Sequence, residues 1–106
     1  MTSKDSYVSM LGMNEREEYI VNNLRLVLIE NWKDGKEQTV KQLTNQVNQG
    51  LRKNGYPYRA TGRLIGGYLK KFLGINTEKR GNLNHTYPIY TPENYRRLLG
   101  TVIIQI

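Results

Sequence analysis

Three amphipathic segments follow one another between residues 14 and 74, and each carries its own start and stop signals. The first begins at Asn14-Glu15-Arg16-Glu17 and the second at Thr39-Val40-Lys41-Gln42, two capping boxes with Glu or Gln three positions after the N-cap residue. A glycine closes each segment, at Asp34-Gly35, Asn54-Gly55 and Leu73-Gly74. The pattern predicts three helices joined by short turns. The second helix has a polar but uncharged side, formed by Gln42, Asn45, Gln46, Asn48 and Gln49.

The third helix, predicted over residues 61–73, has two adjacent glycines, Gly66 and Gly67, in its middle. Each costs about 1 kcal/mol relative to alanine in a helix interior. Helical spacing puts them outside the apolar arc, between Arg63 and Lys70. Glycines in that position allow a large polyanion to approach the backbone closely. The alternative is that they are tolerated breaks, or that the helix ends early and re-forms.

The charged residues near this helix extend its basic face. A helix that starts before Thr61 brings Arg59 onto the same face, and Lys71 lies at the edge of that face. Lys41, Arg52 and Lys53 are interpreted as a solvated face, and Arg96 and Arg97 are as consistent with plain surface as with a binding role.

A basic hairpin is predicted after Gly74. Residues 75–79 and 85–90 have strand character, and Pro88 places the second strand at an edge. Polar and basic residues occupy the tip: Lys79, Arg80, Asn82, Asn84 and His85. Thr91-Pro92-Glu93 then starts a short helix that ends at Gly100. The apolar tail TVIIQI is open to three interpretations: a paired strand, a dimer contact, or the point where a longer protein continues.

Composition and charge narrow the class of protein. The 106 residues suit one domain, so residues 1–13 are expected to be a flexible arm and residues 14–106 a single domain. The net charge is +7: residues 1–39 hold five basic and seven acidic residues, and residues 40–106 hold eleven basic and two acidic. The strongly basic residues 40–106 are expected to contact a polyanion. The chain has no cysteine and no apolar run of membrane-spanning length, so we expect a cytoplasmic or nucleoid-associated protein, or a nuclear one in a eukaryote, with no membrane contact.

The order helix, helix, turn, helix, hairpin, helix predicts a winged helix-turn-helix domain, a mostly helical α+β fold. It would have a three-helix core, a β-hairpin wing and a short C-terminal helix. In helix-turn-helix proteins the second helix of the motif lies in a DNA groove. Here that helix would be residues 61–73, and the wing would be residues 79–85.

Two short motifs carry a family resemblance. Gly-Arg-Leu-Ile at residues 62–65, and Arg-Gly-Asn at residues 80–82 with Tyr87 five residues later, resemble the regulatory-factor-X type of winged helix. They also resemble the terminal domains of phage, plasmid and poxvirus-type primase–helicases. The similarity spans roughly residues 40–90 and implies that the wing enters the major groove, which gives Arg80 and Asn82 a role. Unlike that family, this chain has a shorter, less basic wing and ends it with Pro88-Ile89.

We therefore expect a non-catalytic DNA-binding protein acting in transcription regulation or in replication of a mobile element. Duplex DNA is favoured as partner, with a homodimer or a larger replication protein as possible assemblies. Arg63 suits bidentate bonding to guanine, Asn82 or Asn84 suit adenine, and tyrosine hydroxyls suit phosphate. The predicted nucleic-acid contacts are Tyr58, Arg59, Thr61, Arg63, Gly66, Gly67, Lys70, Lys71, Lys79, Arg80, Asn82, Asn84, His85 and Tyr87.

Other functions find less support in the residues. His85 is the only histidine and lacks nearby ligands, so no metal, cofactor or catalytic site is expected, and no Walker-type loop is present. Two alternatives stay open. One is single-stranded DNA binding by base stacking on Tyr56, Tyr58, Tyr87 and Tyr90. The other is a protein-interaction module that docks on a larger enzyme through the first helix and the tail.

Overall fold

Helices and one two-stranded antiparallel sheet form the part of the chain that the computed structural model describes, residues 12–81 and 85–100. In these residues the elements are α1 (Glu15–Lys33), α2 (Val40–Lys53), α3 (Gly62–Leu73), β1 (Thr77–Arg80), β2 (His85–Pro88) and α4 (Pro92–Gly100). The predicted class, α+β and mostly helical, is confirmed. The TVIIQI tail, Asn82, Asn84 and most of the predicted N-terminal arm lie outside the described residues.

Local capping fixes the helix starts where the sequence predicted them. The Asn14 side chain accepts a hydrogen bond from the Glu17 amide at 2.8 Å, and the Glu17 carboxylate accepts one from the Asn14 amide at 3.0 Å. Thr39 and Gln42 make the same reciprocal pair at the start of α2, at 3.1 and 2.9 Å. Both capping boxes are confirmed, because each satisfies amides that have no partner inside the helix.

The third helix is continuous through its glycine pair. It begins at Gly62, with Thr61 as N-cap, and ends at Gly74, whose φ of +67° is the left-handed conformation that glycine adopts without strain. The interpretation in which this helix ends early and re-forms is therefore wrong. Because the helix starts after Thr61, Arg59 is not part of it.

The core lies between α1, α2 and α3, with α4 packed on α1. Its largest fully buried side chains come from all four helices and from Ile75, and they include Ile20, Leu24, Leu28, Leu43, Leu51, Ile65, Leu69 and Leu98. Met13, which the sequence assigned to the flexible arm, is also buried in this core. The correction has a simple cause: Met13 directly precedes the N-cap of α1, and its apolar side chain gains from burial there.

Two contacts between α1 and α2 were not predicted. The Asn31 side-chain nitrogen donates to Oε1 of the Gln46 side chain at 3.0 Å. A Cβ on Gly50 would lie 2.5 Å from Oδ1 of Asn23. A larger residue at position 50 would therefore require the Asn23 side chain to shift, which the sequence pattern did not indicate.

The hairpin follows α3 directly. Ile75 is fully buried, and β1 pairs with β2 from Thr77 opposite Pro88 to Arg80 opposite His85. On the other side of the domain, Arg25 of α1 donates to the Leu98 carbonyl of α4 at 3.1 Å. None of the helices in residues 12–81 and 85–100 has the length and hydropathy needed to cross a membrane.

Candidate nucleic-acid interface

An open groove of about 530 Å³ lies where the start of α2, the exposed face of α3 and the start of β2 meet. We call it the glycine groove, because Gly66 and Gly67 form part of its floor. Helix α2 contributes Thr39, Val40, Lys41, Thr44 and Asn45; α3 contributes Gly62, Arg63, Gly66 and Gly67; β2 contributes His85 and Thr86. The fold thus brings the predicted contacts Arg63, Gly66, Gly67 and His85 together.

Nothing within the described fold requires glycine at positions 66 and 67. A Cβ built on either residue would meet no atom within 4 Å, so neither packs against a neighbouring element. Both lie within a regular helix, and neither has a positive φ. Their helix-breaking cost is therefore not offset by packing or by turn geometry. What the two glycines create is a smooth stretch of accessible backbone in the groove.

The glycine groove is lined by basic residues and by no acidic residue. Lys41 and Arg63 are exposed on its two sides, and none of its lining residues is acidic. Neither cation makes an ion pair within the part of the chain that the structure describes. Cations without local counter-charges produce a positive potential that attracts a polyanion. Lys41, interpreted from sequence as part of a solvated face, thus joins the groove.

A second groove, here called the tyrosine groove, borders the first. Its lining runs from α2 to the loop before α3 and comprises Asn45, Asn48, Gln49, Arg52, Tyr56, Pro57, Tyr58 and Arg59. Asn45 lines both grooves, so they form adjoining parts of one surface. This second lining also contains no acidic residue. Arg59 therefore contributes to the basic surface from the loop rather than from α3.

The four tyrosines of the single-strand alternative already have ring or cation partners. Tyr56 and Tyr58 lie against Tyr19, with ring centroids 4.3 and 5.6 Å apart. Tyr90 meets Trp32 edge-on at 5.1 Å, and Tyr87 lies 4.7 Å below the Arg80 guanidinium. These contacts hold the rings against the domain. Of the four, Tyr56 and Tyr58 line the tyrosine groove, and Tyr90 lines a separate pocket beside Trp32.

Arg80 lies in an internal ion-pair cluster. Its Nη1 and Nη2 donate to both carboxylate oxygens of Glu37, at 2.9 and 3.0 Å, and its Nε donates to Glu78 at 2.8 Å. These hydrogen bonds raise the pKa of the guanidinium; those to Glu37 have the largest effect, and the one to Glu78 has the next largest. The predicted DNA contact of Arg80 stays a prediction, and a phosphate would have to compete with two carboxylates for this cation. The cluster joins the hairpin to the loop before α2.

Four other predicted contacts line neither groove: Thr61, Lys70, Lys71 and Lys79. The Thr61 hydroxyl accepts from the Leu64 amide at 3.2 Å and caps α3. Lys70 and Lys71 are exposed in the last turn of α3, and Lys79 is exposed on β1. The nitrogen of Lys71 lies 5.0 Å from the Phe72 ring centroid.

Asn48 is a positioning residue that sequence reasoning missed. Its side-chain nitrogen donates to the Ala60 carbonyl at 2.9 Å, and its oxygen accepts from the Ala60 amide at 2.8 Å. This pair of bonds fixes the loop that leads into the Thr61 cap, and so sets where Arg63 lies relative to α2. No local pattern indicates a contact between residues twelve positions apart.

Glu37 is expected to titrate below the ordinary glutamate range, because hydrogen bonds from Arg80 lower the pKa of its carboxyl. A depressed pKa means that this interaction stabilises the fold above the ordinary glutamate pKa, and that the stabilisation is lost as pH falls through the depressed value. NMR titration of the side-chain carboxyl carbon measures it. Arg80→Gln should raise the pKa of Glu37, and Arg96→Gln, on the exposed surface of α4, should not. An unshifted Glu37 in the unmodified chain would contradict the ion pair.

The two adjoining grooves, and the side chains that line them, are the features from which a function must be inferred. No protein-family model, curated protein or solved structure matches the chain.

Proposed function

We propose that this chain is a non-catalytic DNA-binding domain of the winged helix-turn-helix type, which holds duplex DNA against the glycine groove. Helices α2 and α3 would be the helix-turn-helix pair, and the β1–β2 hairpin would be the wing. The order and adjacency of these elements support the proposal, since α2, α3 and β2 converge on one groove. A regulator of transcription and an accessory domain in replication both fit this arrangement.

One observation carries the proposal: two helix-weakening glycines lie in an open groove that has basic and no acidic lining residues, where the described fold gives them no packing role. A DNA backbone is bulky, negatively charged and lies flat against a surface. Because Gly66 and Gly67 have no side chains, such a partner can approach the axis of α3 closely. Lys41 and Arg63 lie on either side of this point. A small anion needs no such flat stretch, and an apolar partner needs no cations.

The test is fluorescence anisotropy with labelled random-sequence DNA of about 30 base pairs, close to three helical turns, as duplex and as single strand. We expect tighter duplex binding with a steep salt dependence, because phosphate contacts release counterions. Arg63→Ala should weaken binding by about tenfold and reduce the salt slope by about one ion. Arg96→Ala is the matched control, since that exposed arginine lies on α4 outside both grooves.

Other results of the same titration would favour single-strand binding or a protein partner. Tighter binding of the single strand, lost in Tyr56→Ala and Tyr58→Ala, would transfer the function to single-strand binding in the tyrosine groove. Absence of binding to both forms at low salt would contradict a nucleic-acid function and favour a protein partner.

A further inference from the structure

We infer that α2 reads the bases and that α3 holds the sugar–phosphate backbone, the reverse of the usual division between the helices of such a pair. This inference rests on the proposed binding of duplex DNA in the glycine groove. It follows from comparing which polar side chains on each helix are available to an external partner.

Helix α3 has little chemistry for recognising bases. Its sequence, GRLIGGYLKKFL, contains no amide or carboxylate side chain. Its exposed polar groups are the cations Arg63, Lys70 and Lys71, and the stretch between Arg63 and Lys70 is the glycine pair. Cations beside bare backbone suit phosphates and sugars, which carry no sequence information directly. A helix that contacts the DNA backbone in this way supplies affinity rather than sequence selectivity.

Helix α2 has five amide side chains, and the fold uses three of them internally. Gln42 completes the Thr39 capping box, Gln46 accepts from Asn31, and Asn48 binds the Ala60 backbone. The other two, Asn45 and Gln49, are exposed and make no hydrogen bond within the described residues.

Asn45 and Gln49 lie on the surface that the duplex would occupy. Asn45 lines both grooves, and Gln49 lines the tyrosine groove. They are four residues apart on one helix, so they lie on the same side, about 6 Å apart along its axis. Lys41 precedes them by one turn, and Arg52 follows on the same side. The Asn45 and Gln49 amides, with a cation on either side, are thus available to base edges in a groove of the DNA.

Asparagine and glutamine amides match adenine, whose N7 accepts and whose N6 donates in the major groove. A separation of about 6 Å corresponds to roughly two base-pair steps of about 3.4 Å each. The expected preference is therefore for adenines about two steps apart in the major groove. Arg63, on the opposite side of the glycine groove, remains the one residue of α3 with the fork geometry to contact guanine.

The experiment first selects preferred duplexes from a random pool, and then compares affinity for the selected and random duplexes. Asn45→Ala and Gln49→Ala are each expected to lower the selected-to-random ratio by about 5- to 150-fold, the range for one bidentate base contact. The loss should fall mainly on the selected duplex, because the bidentate contact to a matching base forms only there. Lys41→Ala should weaken binding to both duplexes equally. Asn54→Ala is the matched control, because this exposed asparagine at the end of α2 lies outside both grooves.

The outcomes distinguish this inference from the proposal beneath it. If the unmodified chain binds no duplex, the proposed function fails and the inference fails with it. If it binds duplex without sequence preference, or if Asn45→Ala and Gln49→Ala leave the preference intact while Arg63→Ala removes it, base reading by α2 is overturned and duplex binding stands.

Discussion

Replacing Gly66 and Gly67 together by alanine is expected to make the domain more stable and its complex with duplex DNA weaker. Each replacement removes a helix-interior glycine, worth about 0.8–1.0 kcal/mol. The added methyl groups meet no atom within 4 Å, so no clash offsets the gain. We therefore expect the free energy of unfolding to rise by about 1–2 kcal/mol, measured by urea unfolding at an unchanged m value.

The same methyl groups project into the glycine groove, where the proposed DNA backbone lies. In the proposed complex they would hold the duplex away from α3 and lengthen its contacts with Arg63 and Lys41. We expect random-duplex affinity to fall by about tenfold, equivalent to about 1.4 kcal/mol. A graded series at position 67, from alanine to leucine, should weaken binding progressively while the circular dichroism of the helices stays native.

Gly100→Ala provides the control for this experiment. Gly100 is also a helical glycine, at the end of α4, and its Cβ would likewise meet nothing. It lies outside both grooves. Alanine there should leave DNA affinity unchanged. If the double substitution at positions 66 and 67 stabilises the fold and binds duplex as tightly as the unmodified chain, close backbone approach is not the reason for the glycines.

The parts of the fold that the sequence predicted are those decided by neighbouring residues. The starts of α1 and α2 follow from capping boxes completed within four positions, and the end of α3 follows from one left-handed glycine. Helical spacing also placed Gly66 and Gly67 outside the apolar arc of α3, and neither packs against a neighbouring element. Such signals are local, so they can be recognised without knowing where the chain goes next.

The parts that the sequence did not predict depend on residues far apart in the chain. Arg80 looked like a free cation because its main partner, Glu37, lies 43 positions earlier. The sequence pattern gave no sign that Gly50 lies beside Asn23, because that residue is on another helix. The two grooves themselves were not predictable from pattern, since they exist only where separate elements converge. Charge and spacing suggested a basic face, but only the fold showed which amides remain available on it.

Asn48→Ala is expected to be the most destabilising single change outside the apolar core. Ala60 is only 2% exposed, and both of its backbone groups bond to the Asn48 side chain. Removing that side chain leaves a buried donor and a buried acceptor unpaired, at about 1–3 kcal/mol each. We expect a loss of about 2–4 kcal/mol, a large share of the 5–15 kcal/mol typical of a small domain. The midpoint of urea unfolding measures it.

Asn45→Ala is the matched control, because it removes an asparagine from the same helix where the side chain is exposed and makes no internal bond. Its effect on stability should stay within about 0.5 kcal/mol. Equal unfolding midpoints for the two variants would contradict the role assigned to Asn48 and would mean that water satisfies Ala60 as well as the amide does.

Asn48→Asp separates the two bonds. An aspartate retains an oxygen to accept from the Ala60 amide but replaces the donor with a second oxygen facing the Ala60 carbonyl. Repulsion between those oxygens should make this variant at least as unstable as Asn48→Ala at neutral pH. Protonation of the carboxyl restores a donor, so part of the loss should be recovered as pH falls through the pKa of the new acid. Such recovery, absent from Asn48→Ala, would show that the paired geometry of the amide, rather than its bulk, holds the loop that carries α3 to the groove.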